Sequence, residues 1–157
     1  MRCADKDLAD LFIGLIDTGA RLNDALSWKP SNYNAYTDQI EFNQSKNGKE
    51  QVEPVSNRLR RIIINARTNK KCFIFNKVNL ISRYKKTRKM AGLEDIQLGR
   101  DFRKTTYNAV RRESKDPDIA RQILGHTTIE TGENYYYIEE REELRPIIMH
   151  LEKTFIK

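Results

Sequence analysis

Residues 39–55 read QIEFNQSKNGKEQVEPV. Two extended stretches, 39–44 and 50–55, flank Ser45-Lys46-Asn47-Gly48-Lys49. Asn-Gly is the strongest short-range hairpin signal, because the two central residues of a tight hairpin turn need positive φ. Pro30 and the Ser-Asn-Tyr-Asn cluster before this segment also argue against helix. The segment predicts a small antiparallel β-sheet near the N-terminal third of the chain.

On both sides of the sheet the texture is helical. Leu8, Leu11, Phe12, Leu15 and Ile16 fall at the spacing of an amphipathic helix, and Gly19 is placed to end it in a left-handed turn. A short helix follows, with Leu22, Ala25 and Leu26 inward. Ser56 is an N-cap candidate for a helix over 57–67. Another helix is expected over 79–90, ending near Gly92, and another from about Asp101 with Phe102, Thr106, Ala109 and Val110 on one face. Asp116-Pro117 opens a further helix, with Ile119, Ile123 and Leu124 buried and Gly125 as its stop. Thr127 and Glu130 form a capping box for the next. A last helix over about 140–154 carries Leu144, Ile147, Ile148 and Leu151. The expected fold class is α+β, mainly helical, in one domain spanning 1–157.

A chain of 157 residues supports one such core and is short for two. No apolar run approaches the roughly 18–20 residues of a membrane span. The start MRCADKDLAD carries acids where a signal peptide has apolar residues, so a cytoplasmic protein is expected. Cys3 and Cys72 form no spacing motif and read as reduced thiols. The net charge is +7. Basic residues bunch at Arg58, Arg60, Arg61, Arg67, Lys70 and Lys71, and again at Arg83, Lys85, Lys86, Arg88 and Lys89. Such groups fit a phosphate-binding face as well as a solvated surface.

Four constellations carry candidate chemistry, and each also has a plain structural reading. Arg21 follows a glycine turn among apolar residues, and Asp24 one turn later is placed to orient it or simply to pair with it. Lys46 and Lys49 lie at the hairpin tip, within reach of a substrate or merely solvated. Arg100 and Arg103, at i and i+3, make a guanidinium fork for phosphate or an ordinary basic helix face. In QILGHTTIETGENYYY (122–137), His126 stands at a corner between two helices, nine residues before Tyr135. Along one unbroken helix the two would sit about 13 Å apart on opposite faces. The break at Gly125 and Thr127 lets both turn into one cleft. A surface corner histidine and an aromatic patch would look the same.

The order of these motifs is more specific than any of them alone. TGARLNDALSW, QSKNGKEQVEPVS, RDFRKT and QILGHTTIETGENYY together resemble the catalytic domain of tyrosine recombinases, the phage-integrase family, over essentially the whole chain. The resemblance implies that Arg21 and Arg103 are the two arginines around the scissile phosphate, with Asp24 supporting Arg21. It implies Lys46 as the hairpin lysine, His126 as the Leu-Gly-His histidine and Tyr135 as the nucleophile, with Tyr136 and Tyr137 as neighbours. Where the family usually has histidine, this chain has Arg100. An arginine stays protonated at neutral pH and cannot accept the tyrosine proton, although it can hold a phosphate oxygen. Type IB topoisomerases, similar in chemistry, also place a cation near this point.

The chemistry implied is DNA strand cleavage and rejoining through a 3′-phosphotyrosine, for integration, excision or resolution by a mobile element or its host. No metal and no cofactor is expected: the chain has two histidines and no Cys-x-x-Cys. The expected partner is double-stranded DNA, in the nucleoid. A homotetramer on synapsed DNA, with C-terminal helix exchange, is implied, and a monomer in isolation. The amino-terminal DNA-clamping domain usual in the family is expected to be missing from this chain. Strand relaxation of the topoisomerase kind, and DNA binding through an impaired active site, are the alternative readings.

Overall fold

A computed structural model describes residues 3–46 and 48–115, together with Ile119 and Ile148. Among these residues five α-helices and a three-stranded antiparallel sheet make a mixed, mostly helical α+β fold. None of the helices is long and apolar enough to cross a membrane.

Helix α1 (Lys6–Thr18) begins where the Asp5 side chain accepts a hydrogen bond from the Leu8 N–H at 3.0 Å. It ends at Gly19, φ 63°, whose N–H returns to the Leu15 carbonyl. Leu8, Leu11, Phe12 and Leu15 face the core, as their spacing predicts. Gly14 is buried under the Phe75 ring, and a Cβ there would lie 2.4 Å from Phe75 Cζ. Helix α2 (Leu22–Ser27) follows, then a 3₁₀ turn (Pro30–Asn32) and the strands β1 (Tyr33–Asn34), β2 (Gln39–Asn43) and β3 (Glu50–Pro54). The strand order is β1-β2-β3. Strand β1 is an addition to the expected hairpin: two residues are too short to show a period.

The register pairs Ile40 with Glu53 and Phe42 with Gln51. Directly opposed residues share a face, so one face of the hairpin carries Ile40 and Phe42 on β2 and Gln51 and Glu53 on β3. All four are buried. Phe42 packs on Trp28 at 5.2 Å between ring centroids, and Trp28 on Phe75 at 6.0 Å.

Helix α3 (Asn57–Thr68) is capped by Ser56, whose hydroxyl accepts from the Leu59 N–H at 3.1 Å. Helix α4 (Leu80–Met90) starts after Asn79, which takes a left-handed φ of 50° as the cap residue. Helix α5 (Arg100–Ser114) lies along α1. There Phe102 stacks on Phe12 at 4.8 Å, and the Thr106 hydroxyl donates to the Ile16 carbonyl at 2.8 Å. Ile148 is helical and fully buried, and Ile119 is helical and half-buried. The helix expected from Asp116, the Thr127 capping box and the rest of the helix over 140–154 lie outside the described residues.

Three arginines of the first basic group are tied into the fold. Arg58 is buried and forms a forked ion pair with the buried Asp17, which also accepts from the Ser56 hydroxyl. Arg60 pairs with Asp38. Arg67 donates to the carbonyls of Pro30 and Tyr33 and covers the Tyr33 ring. In the second group Arg83 pairs with Asp5, and Arg88 donates to the Ile96 carbonyl. By contrast, every lysine among the described residues is exposed.

Candidate active site

The site is assembled by three short segments: the Gly19–Asp24 turn, the β2–β3 hairpin and the first turn of α5. Gly99 docks the last of these. Its φ is 87°, and a Cβ at this position would sit 3.0 Å from Leu22 Cβ. Glycine alone accepts both the backbone angle and the close approach. The start of α5 therefore lies directly against the start of α2.

Arg103, on the first turn of α5, reaches across to donate from Nη1 to the Gly19 carbonyl at 2.5 Å, a contact between residues 84 apart in sequence. Arg21, two residues beyond Gly19, donates from Nη1 to Gln44 Oε1 at 3.1 Å. The charge of Arg21 acts on Arg103. The Arg103 pKa is lowered to about 10, first by burial and then by the positive charge of Arg21; Asp24 and Glu53 oppose the shift.

Asp24 is buried and faces two ways. One carboxylate oxygen, Oδ2, lies 3.8 Å from Arg21 Nη1, while Oδ1 accepts the Ser45 N–H at 2.7 Å. A single side chain thus fixes the arginine and ties the hairpin tip to α2. The next residue after Ser45 is Lys46, which is exposed in the turn. The pairing of Asp24 with Arg21 is present in this arrangement.

Arg100 occupies the first position of α5, but its side chain is 73% exposed and its Nε lies 3.5 Å from Asp101 Oδ1. Arg100 and Arg103 therefore do not form one fork: Arg103 turns toward α2 and Arg100 toward solvent. Asp101 accepts from the Gln97 N–H, which holds its carboxyl below the usual range; Arg100 contributes less to the shift. His126 and Tyr135 lie outside the described residues. Among the described residues no group of His, Cys, Asp or Glu side chains has the arrangement of a metal site.

Spacing alone did not single out Gln44, Gln51 and Glu53. The Gln44 amide donates to Gln51 Oε1 at 2.5 Å, and the Gln51 amide donates to Glu53 Oε1. Together with the Arg21–Gln44 bond this is a continuous chain from a guanidinium to a buried carboxylate. The available signal was the two-residue period: Gln51 and Glu53 alternate across Val52 on a strand whose partner is apolar at the same positions.

Two converging guanidiniums beside a lysine-bearing turn can bind a tetrahedral anion. They offer paired planar donors to two oxygens and neutralise charge that grows during displacement at phosphorus. Compared with protein-family models, curated proteins and solved structures, the chain matches none.

Proposed function

We propose that this chain is the catalytic domain of a tyrosine recombinase, which breaks and rejoins DNA strands through a 3′-phosphotyrosine formed at Tyr135. The observation that carries the reading is the meeting of Arg21 and Arg103, with Asp24 holding the Lys46 turn beside them. Three of the motifs that carry the resemblance are tied together by hydrogen bonds in the fold, which supports the reading.

In this reading the two arginines hold the non-bridging oxygens of one phosphodiester. The Tyr135 phenolate oxygen attacks phosphorus, the bond to the 5′-oxygen breaks, and Lys46 protonates the departing hydroxyl. His126 adds a hydrogen bond to the phosphate. With Arg100 turned to solvent, the phenol proton passes to water or to the phosphate itself. The reverse attack by a 5′-hydroxyl rejoins the strand and releases the tyrosine.

Arg100 favours a second reading. A cation that cannot serve as a base, standing outside the arginine pair, fits a DNA-binding domain whose cleavage step is impaired. Covalent trapping separates the two. The chain is incubated without added metal with nicked duplexes drawn from candidate recombination sites, then denatured. A DNA adduct abolished by Tyr135→Phe and retained in Tyr136→Phe supports the recombinase reading. Loss only in Tyr136→Phe moves the nucleophile by one residue. DNA retention without an adduct, repaired by Arg100→His, supports the impaired site. Strand relaxation on a single site, with no need for a second, would indicate a topoisomerase instead.

A further inference from the structure

The buried face of the β2–β3 hairpin is unequal. On β2 it presents Ile40 and Phe42; directly opposite on β3 stand Glu53 and Gln51. Glu53 is fully buried and Gln51 nearly so. Apolar side chains there would pack against β2 at no desolvation cost, whereas an ionised carboxylate in such a place is costly unless cations and hydrogen bonds surround it. Both are present. Glu53 accepts from Gln51, Gln51 from Gln44, and Gln44 from Arg21, and each donor–acceptor direction is fixed by the guanidinium at one end and the carboxylate at the other.

We propose that Glu53 is a positioning residue of the arginine site: its buried carboxylate orients the Gln51–Gln44 relay that aims Arg21 and supplies the counter-charge that lets Arg103 converge on it. This rests on the reading of Arg21 and Arg103 as a phosphate site. Arg103 donates to the Gly19 carbonyl, and the charges that act on it are Arg21, just before α2, Asp24 from α2 and Glu53 from β3. Asp24 is engaged by the Ser45 N–H and by Arg21. Glu53 is thus, with Asp24, one of two buried carboxylates whose charge favours the protonated Arg103.

The test reads Arg103 directly. In the full chain, the side-chain Nε of Arg103 is followed by NMR against pH in the wild type and in Glu53→Gln, which preserves shape and removes charge. The expected wild-type midpoint is about 10. In Glu53→Gln the midpoint is expected to fall by about one pH unit, as loss of a nearby opposite charge requires. A folded Glu53→Gln variant with an unmoved midpoint overturns the proposal. A second variant, Gln44→Met, cuts the relay at its Arg21 end and leaves Glu53 in place. Its affinity for inorganic phosphate, used as the probe, is expected to fall about tenfold, the scale of one hydrogen bond to a charged group. Unchanged affinity overturns the relay. If the wild-type chain binds no phosphate, the phosphate-site reading falls together with the relay's role, while the Arg103 midpoint still decides the counter-charge assignment.

Discussion

The carboxylate of Asp24 accepts the backbone N–H of Ser45 at 2.7 Å, and this one bond joins α2 to the turn that carries Lys46. An arginine and a lysine separated in sequence thereby depend on the same buried acid. Asp24→Ala is expected to lower stability by about 2 kcal/mol, the scale of a lost buried hydrogen bond to a charged group. Urea denaturation measures that cost. The stronger expectation concerns function: the adduct yield should fall more steeply than the folded fraction, because both Arg21 and Lys46 lose their anchor.

Gly99 allows α5 to start against Leu22. Gly99→Ala combines a left-handed φ with a close Cβ contact and should cost about 1–3 kcal/mol. Relief would come by moving the α5 terminus outward, which draws Arg103 away from Gly19. Loss of DNA cleavage with a retained far-ultraviolet spectrum would show this; full activity in the variant would contradict the docking role.

The Asp17–Arg58 pair is enclosed between α1 and α3, with the Ser56 cap sharing the same carboxylate. Removing one partner leaves a buried charge uncompensated. Arg58→Met is therefore expected to cost about 3–5 kcal/mol, read as a shift in urea midpoint. A change below about 1 kcal/mol would mean that the interior accommodates the lone acid.

Two pH limits follow from the shifted groups. Arg83 donates to Asp5, and the Leu8 N–H adds to this, lowering the Asp5 carboxyl from 3.8 to about 2. A depressed folded value stabilises the fold above the unfolded pKa, so this contribution is intact above pH 4 and fades as pH falls toward 2. Asp5→Asn should flatten the acid unfolding curve in that window. Arg103 sets the other limit. Its folded value of about 10 lies below the unfolded value, so its deprotonation does not destabilise the fold. The proposed phosphate site would, however, lose a cation above about pH 10. Phosphate or DNA affinity should decline there while the chain stays folded.

Much of this was legible in the sequence because the signals were local. The α1 stripe, the Gly19 stop, the Ser56 cap and the Asn-Gly hairpin each involve neighbours within a few residues. So does the Arg21–Asp24 pairing. What was not legible depends on contacts across the fold. The clustering of Arg58, Arg60 and Arg67 in sequence suggested a shared face, yet each turns to a different partner, because their acids and carbonyls arrive from α1, from the β1–β2 connection and from the 3₁₀ turn. Gly14 gives no local signal, and its reason is the Phe75 ring that lands on it. Arg100 and Arg103 share a helical spacing, but a glycine contact with Leu22 decides that only Arg103 faces α2. The relay of Gln44, Gln51 and Glu53 required knowing which strand positions oppose Ile40 and Phe42.

The two kinds of cation in this chain do different work. Its arginines among the described residues include most of those bound into carboxylates and carbonyls, where a flat, directional donor set holds one segment against another. Its lysines among the described residues are all exposed. If the chain binds DNA as proposed, the long-range attraction falls mainly to ammonium groups. These are mobile and can be chemically neutralised one by one without touching the joints of the fold. Mild acetylation should then slow encounter with DNA and flatten its dependence on salt, while the arginine pair, already assembled and out of the reagent's reach, keeps its geometry for whatever phosphate still arrives.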